Sequence, residues 1–270
     1  MIIPYKCFQP PPILELSSDE VHVWSASTNV DEKQLQYLQA IISEDEQKRA
    51  ARFYFEKDSI QFIVTRGLLR MILAYYLDQS PEEFRFSYNK HGKPSLEGIN
   101  NNNVRFNLSH SDQAIVYGFT RCRDIGIDIE RICSSKDSTN ILDHFFSELE
   151  KEEFKMVPEE KKKETFYKCW TRKEAYTKAR GKGFSIPLDS FSVTLTPGCP
   201  AELTRADEDS EVSQWYMKDI SVVYGFAAAV VVSGTEPRFY YLEATSLFQP
   251  QDNYSQFYPN NDWYCNILGN

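Results

Sequence analysis

Apolar residues along this chain recur with two periods, and the switches between them mark out the elements. Val21 to Ala26 (VHVWSA) alternates as a strand does, and Leu35 to Ile42 has the spacing of a short amphipathic helix. Ser43-Glu44-Asp45-Glu46 reads as a capping box, with Ser43 as N-cap and Glu46 at N3. The helix it opens carries Lys48, Arg49 and Arg52 and runs into Phe53-Tyr54-Phe55. Ser59 to Leu77 is the strongest helix of the first half, ending before the loop Asp78 to Pro81. Phe84 to Tyr88 alternates as a strand, Lys90 to Pro94 is a turn by its Gly and Pro, and Asn100 to Asn103 is loop. Val104 to Thr120 predicts two short strands around a polar turn, Ser109-His110-Ser111-Asp112. Ile125 to Glu130 predicts a strand, and Phe166 to Ile186 a helix closed by Gly181-Lys182-Gly183. The longest apolar stretch, around Val222 to Val232, has buried-strand length, and no run approaches a membrane span.

The two halves repeat each other. Thr65-Arg66 recurs as Thr171-Arg172, FRFSY from Phe84 as FSVTL from Phe191, and AIVYGFT from Ala114 as SVVYGFA from Ser221. All three pairs share an offset of about 107 residues, the length of a small domain. A common offset in a common order predicts an internal duplication and an α+β fold. Two similar halves, residues 1–120 and 121–270, would each pack a small, mostly antiparallel sheet on a long helix, related by a pseudo-twofold axis. A ligand cleft belongs at the seam between them. The segment Thr235 to Asn270, counted with the second half, carries no motif. It can pack over that half, extend toward a partner or stay partly disordered, and its aromatic content favours packing.

Charge narrows the partners. A net charge of −9 and a pI near 5.1 argue against general nucleic-acid or anionic-membrane binding, although a local basic patch can still hold a phosphorylated small molecule. Six scattered cysteines without a CxxC argue against a thiolate metal site, and the first residues lack the pattern of a secretory signal. Reduced thiols and a cytoplasmic setting are the expectation.

On the 166–186 helix, Trp170, Glu174 and Lys178 fall at i, i+4 and i+8, so an aromatic, an acid and a base line one face. In the 125–130 strand Asp128 and Glu130 share one side and Ile125, Ile127 and Ile129 the other. Two carboxylates so close repel, by about 4 kcal/mol for unit charges about 4 Å apart at an effective dielectric near 20, and either solvent or a cation must relieve that. If Glu174 joins them, the all-oxygen donor set suits Mg2+ or Mn2+. Lys93, His110, Arg49 and Lys178 can then supply positive charge around a phosphorylated substrate.

Six motifs together resemble one family. GIDIE at 126–130 and WTRKEAYTKARGKG at 170–183 are similar to the paired signature of the 4'-phosphopantetheinyl transferases of the surfactin-synthetase-activating (Sfp) type. QKRAARFY at 47–54, GKP at 92–94, FNLSHS at 106–111 and FSIPLDSFSV at 184–193 match in the same order. The resemblance implies an enzyme that moves the phosphopantetheine arm of coenzyme A onto a serine of an apo acyl or peptidyl carrier protein, releasing adenosine 3',5'-bisphosphate. It implies that Asp128, Glu130 and Glu174 hold Mg2+ against the pyrophosphate. Lys93, Ser109 and His110 would contact the nucleotide and its 3'-phosphate, with Arg49 a further phosphate contact. Glu174, directly or through metal-bound water, would take the serine proton, and Lys178 would neutralise or protonate the departing phosphate. Trp170 reads as a packing anchor. The alternatives are a coenzyme A- or carrier-binding module without turnover, and a metal-dependent phosphohydrolase. The duplication makes a monomeric pseudo-dimer the simplest assembly.

Overall fold

The structure, a computed structural model, describes residues 15–98, 103–133, 142, 144–206 and 212–248. The Pro-rich start, Asn100 to Asn102, Cys7, Cys265 and the tail beyond 248 lie outside the described residues. In chain order the first half contains β1 (Glu20–Ser27), α1 (Glu32–Ile41), α2 (Glu44–Ala50), α3 (Glu56–Leu77), β2 (Phe86–Tyr88), β3 (Pro94–Leu96), β4 (Val104–Ser111) and β5 (Ala114–Arg121). The second contains β6 (Ile125–Arg131), α4 (Glu148–Lys155), α5 (Glu159–Arg180), β7 (Ser192–Val193), β8 (Leu203–Arg205), β9 (Trp215–Asp219), β10 (Phe226–Ser233) and β11 (Arg238–Glu243).

Two sheets face each other, ordered β11-β1-β5-β4 and β6-β10-β9. Period-two alternation gives each strand two apolar faces. Trp24, Ile115, Tyr117 and Phe119 pack on Leu68, Leu69 and Ile72 of α3. Val21, Val23 and Val116, pointing the other way, meet Ile125, Ile127, Ile129 and Val230 of the second sheet. Ala229 and Val231 close on Phe166, Cys169 and Tyr176 of α5. The result is a helix–sheet–sheet–helix stack, the expected α+β pair of halves with the isoleucines of β6 in the shared core.

The duplication is written most clearly in buried ion pairs. Ser43 and Glu46 form the predicted capping box of α2, and Ser147 and Glu150 form another on α4. Buried Glu46 then pairs with Arg66 and Arg70 of α3, and buried Glu150 with Lys173 of α5 at 2.7 Å. Arg70 also donates to the carbonyls of Pro81 and Phe84, as Lys173 does to those of Leu188 and Phe191. In each half a capped acid thus fixes a cation that holds the turn leading into the short strand.

Several sequence expectations change. SVVYGFA does not match AIVYGFT in structure: Ala114 to Thr120 lies in β5, whereas the chain turns through Tyr224 and Gly225 (φ 82°) and β10 begins only at Phe226. Ser109, His110 and Ser111 lie in β4 rather than in a turn, because a two-residue hairpin at Asp112 (φ 53°) and Gln113 suffices to reverse the chain. Residues 238–243, assigned to the second half, form β11 and pair in parallel with β1 of the first sheet, where Leu242, Ala244 and Leu247 join the core around α3. Helix α3, at 22 residues, is long and apolar enough by length and composition to cross a membrane, contrary to the expectation. It is the core helix of the first half, and its Arg66 and Arg70 are buried and paired.

One glycine sets the seam. A Cβ on Gly126 would stand 2.0 Å from the Ala175 carbonyl oxygen and 2.3 Å from the Ala179 nitrogen, so α5 lies with its backbone against β6. Gly126→Ala must push the helix away. The expected result is a loss of about 3 kcal/mol or more, read as a lower urea midpoint.

Candidate active site

Because α5 rests on β6 at Gly126, the face carrying Trp170, Glu174 and Lys178 runs along the strand toward its acids. Lys178 Nζ donates to Asp128 Oδ1 at 2.6 Å and to Ser109 Oγ at 3.0 Å, and Ser109 donates to the same Asp128 oxygen at 2.8 Å. Farther along β6, Glu130 accepts from Ser111 at 2.8 Å and is hydrogen-bonded by Trp170. Strand β4 reaches β6 through alternate polar side chains. Asn107 Oδ1 accepts from the Ile127 amide at 2.9 Å, and Ser111 Oγ accepts from the Arg131 amide at 3.1 Å.

Asp128 is buried, its charge met by Lys178. Burial, and then the charge of Asp128, push the Glu174 carboxyl up to about 7 against the opposing pull of Lys178. Burial also raises Glu130. Asp128 Oδ2 and Glu174 Oε1 are buried without a hydrogen-bond partner, which is costly unless something absent from the free chain completes them. Among the described residues no three His, Cys, Asp or Glu side chains form a ready-made metal cage. A small hard cation needs only one or two carboxylates beside water and substrate oxygens, so the two orphaned oxygens, with Glu130 adjacent, fit that demand.

The Glu174 shift has a testable consequence for the metal-free protein. Below pH 4.5 the carboxyl is protonated in both folded and unfolded chains and contributes nothing. Between 4.5 and about 7 only the unfolded chain ionises, so stability is lost as pH rises, by about 3 kcal/mol at most, and the loss is complete above about 7. In chelator, wild-type melting temperature should fall over that interval more than that of Glu174→Gln. Equal slopes would contradict the assignment.

Beside the carboxylates opens a cleft of about 460 Å3, lined by Arg49, Phe62, Arg66, Lys93, His110 and Lys178 among others. Arg49 lies over the Phe62 ring at 5.1 Å, while Arg66, buried and paired with Glu46, lies over Phe86 at 4.3 Å. Burial, and then the nearby Lys178, lower His110 and favour a neutral imidazole. Lys93 Nζ donates to the carbonyls of Ile125 at 2.8 Å and Lys178 at 2.7 Å, and burial lowers its amine to about 8.

The structure therefore gathers the residues singled out in sequence into two joined groups. Arg49, Lys93, His110 and Lys178 line the cleft, and Ser109, Asp128, Glu130 and Glu174 lie at the seam, with Lys178 in both. Of the other cations near Arg49, Lys48 pairs with Glu44 at the surface and Arg52 is exposed. Arg66, Asn107 and Ser111 went unmarked. The i, i+2, i+4 spacing of Asn107, Ser109 and Ser111 was a signal for two of them, hidden by reading 109–112 as a turn.

Comparison with known proteins finds matches in both halves of the chain. Residues 24–118 match the model of the 4'-phosphopantetheinyl transferase N-terminal domain, and residues 124–231 that of the 4'-phosphopantetheinyl transferase superfamily. The two matches meet at the turn between β5 and β6. The 4'-phosphopantetheinyl transferase HetI of Nostoc sp. is 38% identical over 86% of this chain and 96% of its own. Sfp of Bacillus subtilis is 32% identical over 71% of this chain and 82% of its own. Among solved structures, a holo-(acyl-carrier-protein) synthase from Bacillus anthracis in complex with CoA (3',5'-ADP) overlaps 42% of this chain and 96% of its own at 22% identity and a TM-score of 0.35, too slight a likeness to argue from. Matched in both halves, and aligned with a relative over nearly that relative's whole length, this chain belongs to the 4'-phosphopantetheinyl transferase family.

Proposed function

We propose that this chain is a transferase of the Sfp type, moving 4'-phosphopantetheine from coenzyme A to the serine hydroxyl of an apo acyl or peptidyl carrier protein. The observation that carries the reading is Lys178, which holds Asp128 Oδ1 at 2.6 Å among the acids of the seam and also lines the cleft beside Arg49, Lys93 and His110. Glu174, one turn before Lys178 on the same helix face, is the carboxylate placed to accept the hydroxyl proton.

The roles follow from position. The cleft takes the nucleotide end of coenzyme A, with Arg49 and His110 toward its phosphates and Ser109 and Lys178 near the pyrophosphate. The serine oxygen bonds to the phosphorus that carries the pantetheine arm, and its proton passes to Glu174. The bond from that phosphorus to the bridging oxygen breaks, and the electrons leave with adenosine 3',5'-bisphosphate. Lys178, ion-paired with Asp128, meets the charge gathering on the departing phosphate. Asp128, Glu130 and Glu174 would hold Mg2+, or Mn2+ with its similar preference for oxygen donors, and the ion would neutralise pyrophosphate charge. Positioning and electrostatics carry most of the acceleration, as in other phosphoryl transfers. Free thiols at Cys122, Cys133, Cys169 and Cys199 suit a reducing cytoplasm, the paired halves suit a monomer, and the net charge of −9 suits action without nucleic acid or anionic membrane.

Bisphosphate release separates this reading from phosphohydrolysis. With coenzyme A and Mg2+, release should rise at least about a hundredfold when apo carrier is added. Equal release without carrier would make water the acceptor and overturn the proposal.

A further inference from the structure

The β2–β3 hairpin belongs to the first half, yet its tip grips the last turn of α5 in the second. The final carbonyls of a helix have no partner within it, and cations are favoured there. Asn89 Nδ2 donates to the Gly181 carbonyl at 2.7 Å, and Asn89 Oδ1 accepts from the amides of His91 and Lys93, which shapes the turn. The half-buried Lys93 ammonium then spans two elements, donating to the Lys178 carbonyl at one end of α5 and to the Ile125 carbonyl at the start of β6. Between those carbonyls lies Gly126, where helix backbone and strand touch.

We propose that Lys93 is a positioning residue, which holds α5 against β6 so that Lys178 and Glu174 stand at the acids of the strand. This rests on the transferase reading for its consequence in catalysis, and it departs from the role in nucleotide contact that family resemblance suggests. Two of the three ammonium hydrogens are committed to backbone carbonyls, so most of what the side chain holds is the chain itself, and one hydrogen is left toward the cleft. Removal of the lysine frees the end of the helix that carries the leaving-group cation.

Two variants and two readouts test the assignment. Lys93→Met keeps most of the stem and removes the donors, and Lys93→Arg restores donors able to reach both carbonyls. With saturating apo carrier and Mg2+, Lys93→Met should lower kcat about tenfold or more, change the KM for coenzyme A by less than about twofold, and be largely rescued by arginine. Amide hydrogen exchange in residues 176–182 should quicken at least about tenfold in Lys93→Met while exchange in α3 stays unchanged. A tenfold rise in the KM for coenzyme A at unchanged kcat would overturn the proposal, making Lys93 a ligand contact. So would unaltered exchange at 176–182, including the case where only the melting temperature falls. Because exchange requires no turnover, it tests the clamp separately from the functional reading; absence of transfer by wild-type protein would count against that reading alone.

Discussion

Glu174→Gln should lower transfer by about a thousandfold or more while the folded protein melts at the same temperature or higher. Glutamine fills the same space but cannot accept the serine proton, and loss of a positioned base removes about a hundred- to ten-thousandfold of rate. The same change also removes a carboxyl whose ionisation the fold opposes through burial and through the charges of Asp128 and Glu130. Activity and stability therefore move in opposite directions, which separates a functional acid from a structural one. Asp128→Ala should not share that profile, although crowding between acids, read from sequence, suggests that it would. Asp128 holds Lys178 and Ser109, so its removal should cost about 2 kcal/mol as well as activity. The cost falls short of that for a fully enclosed pair because the Lys178 side chain is 27% exposed. Calorimetry and single-turnover rates on both variants read the contrast. A Glu174→Gln protein that unfolds would mean the carboxyl is scaffold.

Lys178→Met should be nearly as damaging, with kcat lower by about a hundred- to a thousandfold, the scale for one well-placed charge at a developing anion. The KM for coenzyme A should rise as well, since Lys178 lines the cleft. Divalent-ion binding distinguishes it from the acids. Mn2+ affinity should hold or increase when Lys178 is gone, because Asp128 Oδ1 loses its competing cation, whereas Asp128→Ala should weaken it. Mn2+ titration followed by electron paramagnetic resonance measures both. Weaker Mn2+ binding in Lys178→Met would contradict the placement.

Much of this site could be read from the chain because its parts lie on regular elements. Trp170, Glu174 and Lys178 share a helix face by period, Asp128 and Glu130 a strand face, and the alternating isoleucines announce which side enters the apolar core between the sheets. The capping box at Ser43 and the apolar run of α3 marked the first half equally well. Contacts between distant segments were not legible. Lys93 touches residues 125 and 178, and its partners are backbone carbonyls, which carry no sequence signature. Gly126 looked like part of a motif, and only the approach of the Ala175 carbonyl explains why no side chain fits there. The VYGF repeat misled because a four-residue identity can fall in a strand once and in a turn the next time, wherever pairing partners differ. The placement of β11 beside β1 depends on parallel pairing across more than two hundred residues of chain, and local pattern holds no record of it.

The central claim is transfer of the arm to a carrier serine, and the intact mass of the carrier reads it directly. Wild-type protein with Mg2+, coenzyme A and an apo carrier should raise the carrier's mass by one phosphopantetheine group, and should leave a carrier with that serine changed to alanine untouched. No mass gain on any of several apo carriers, with the wild-type protein shown to be folded, would contradict the account.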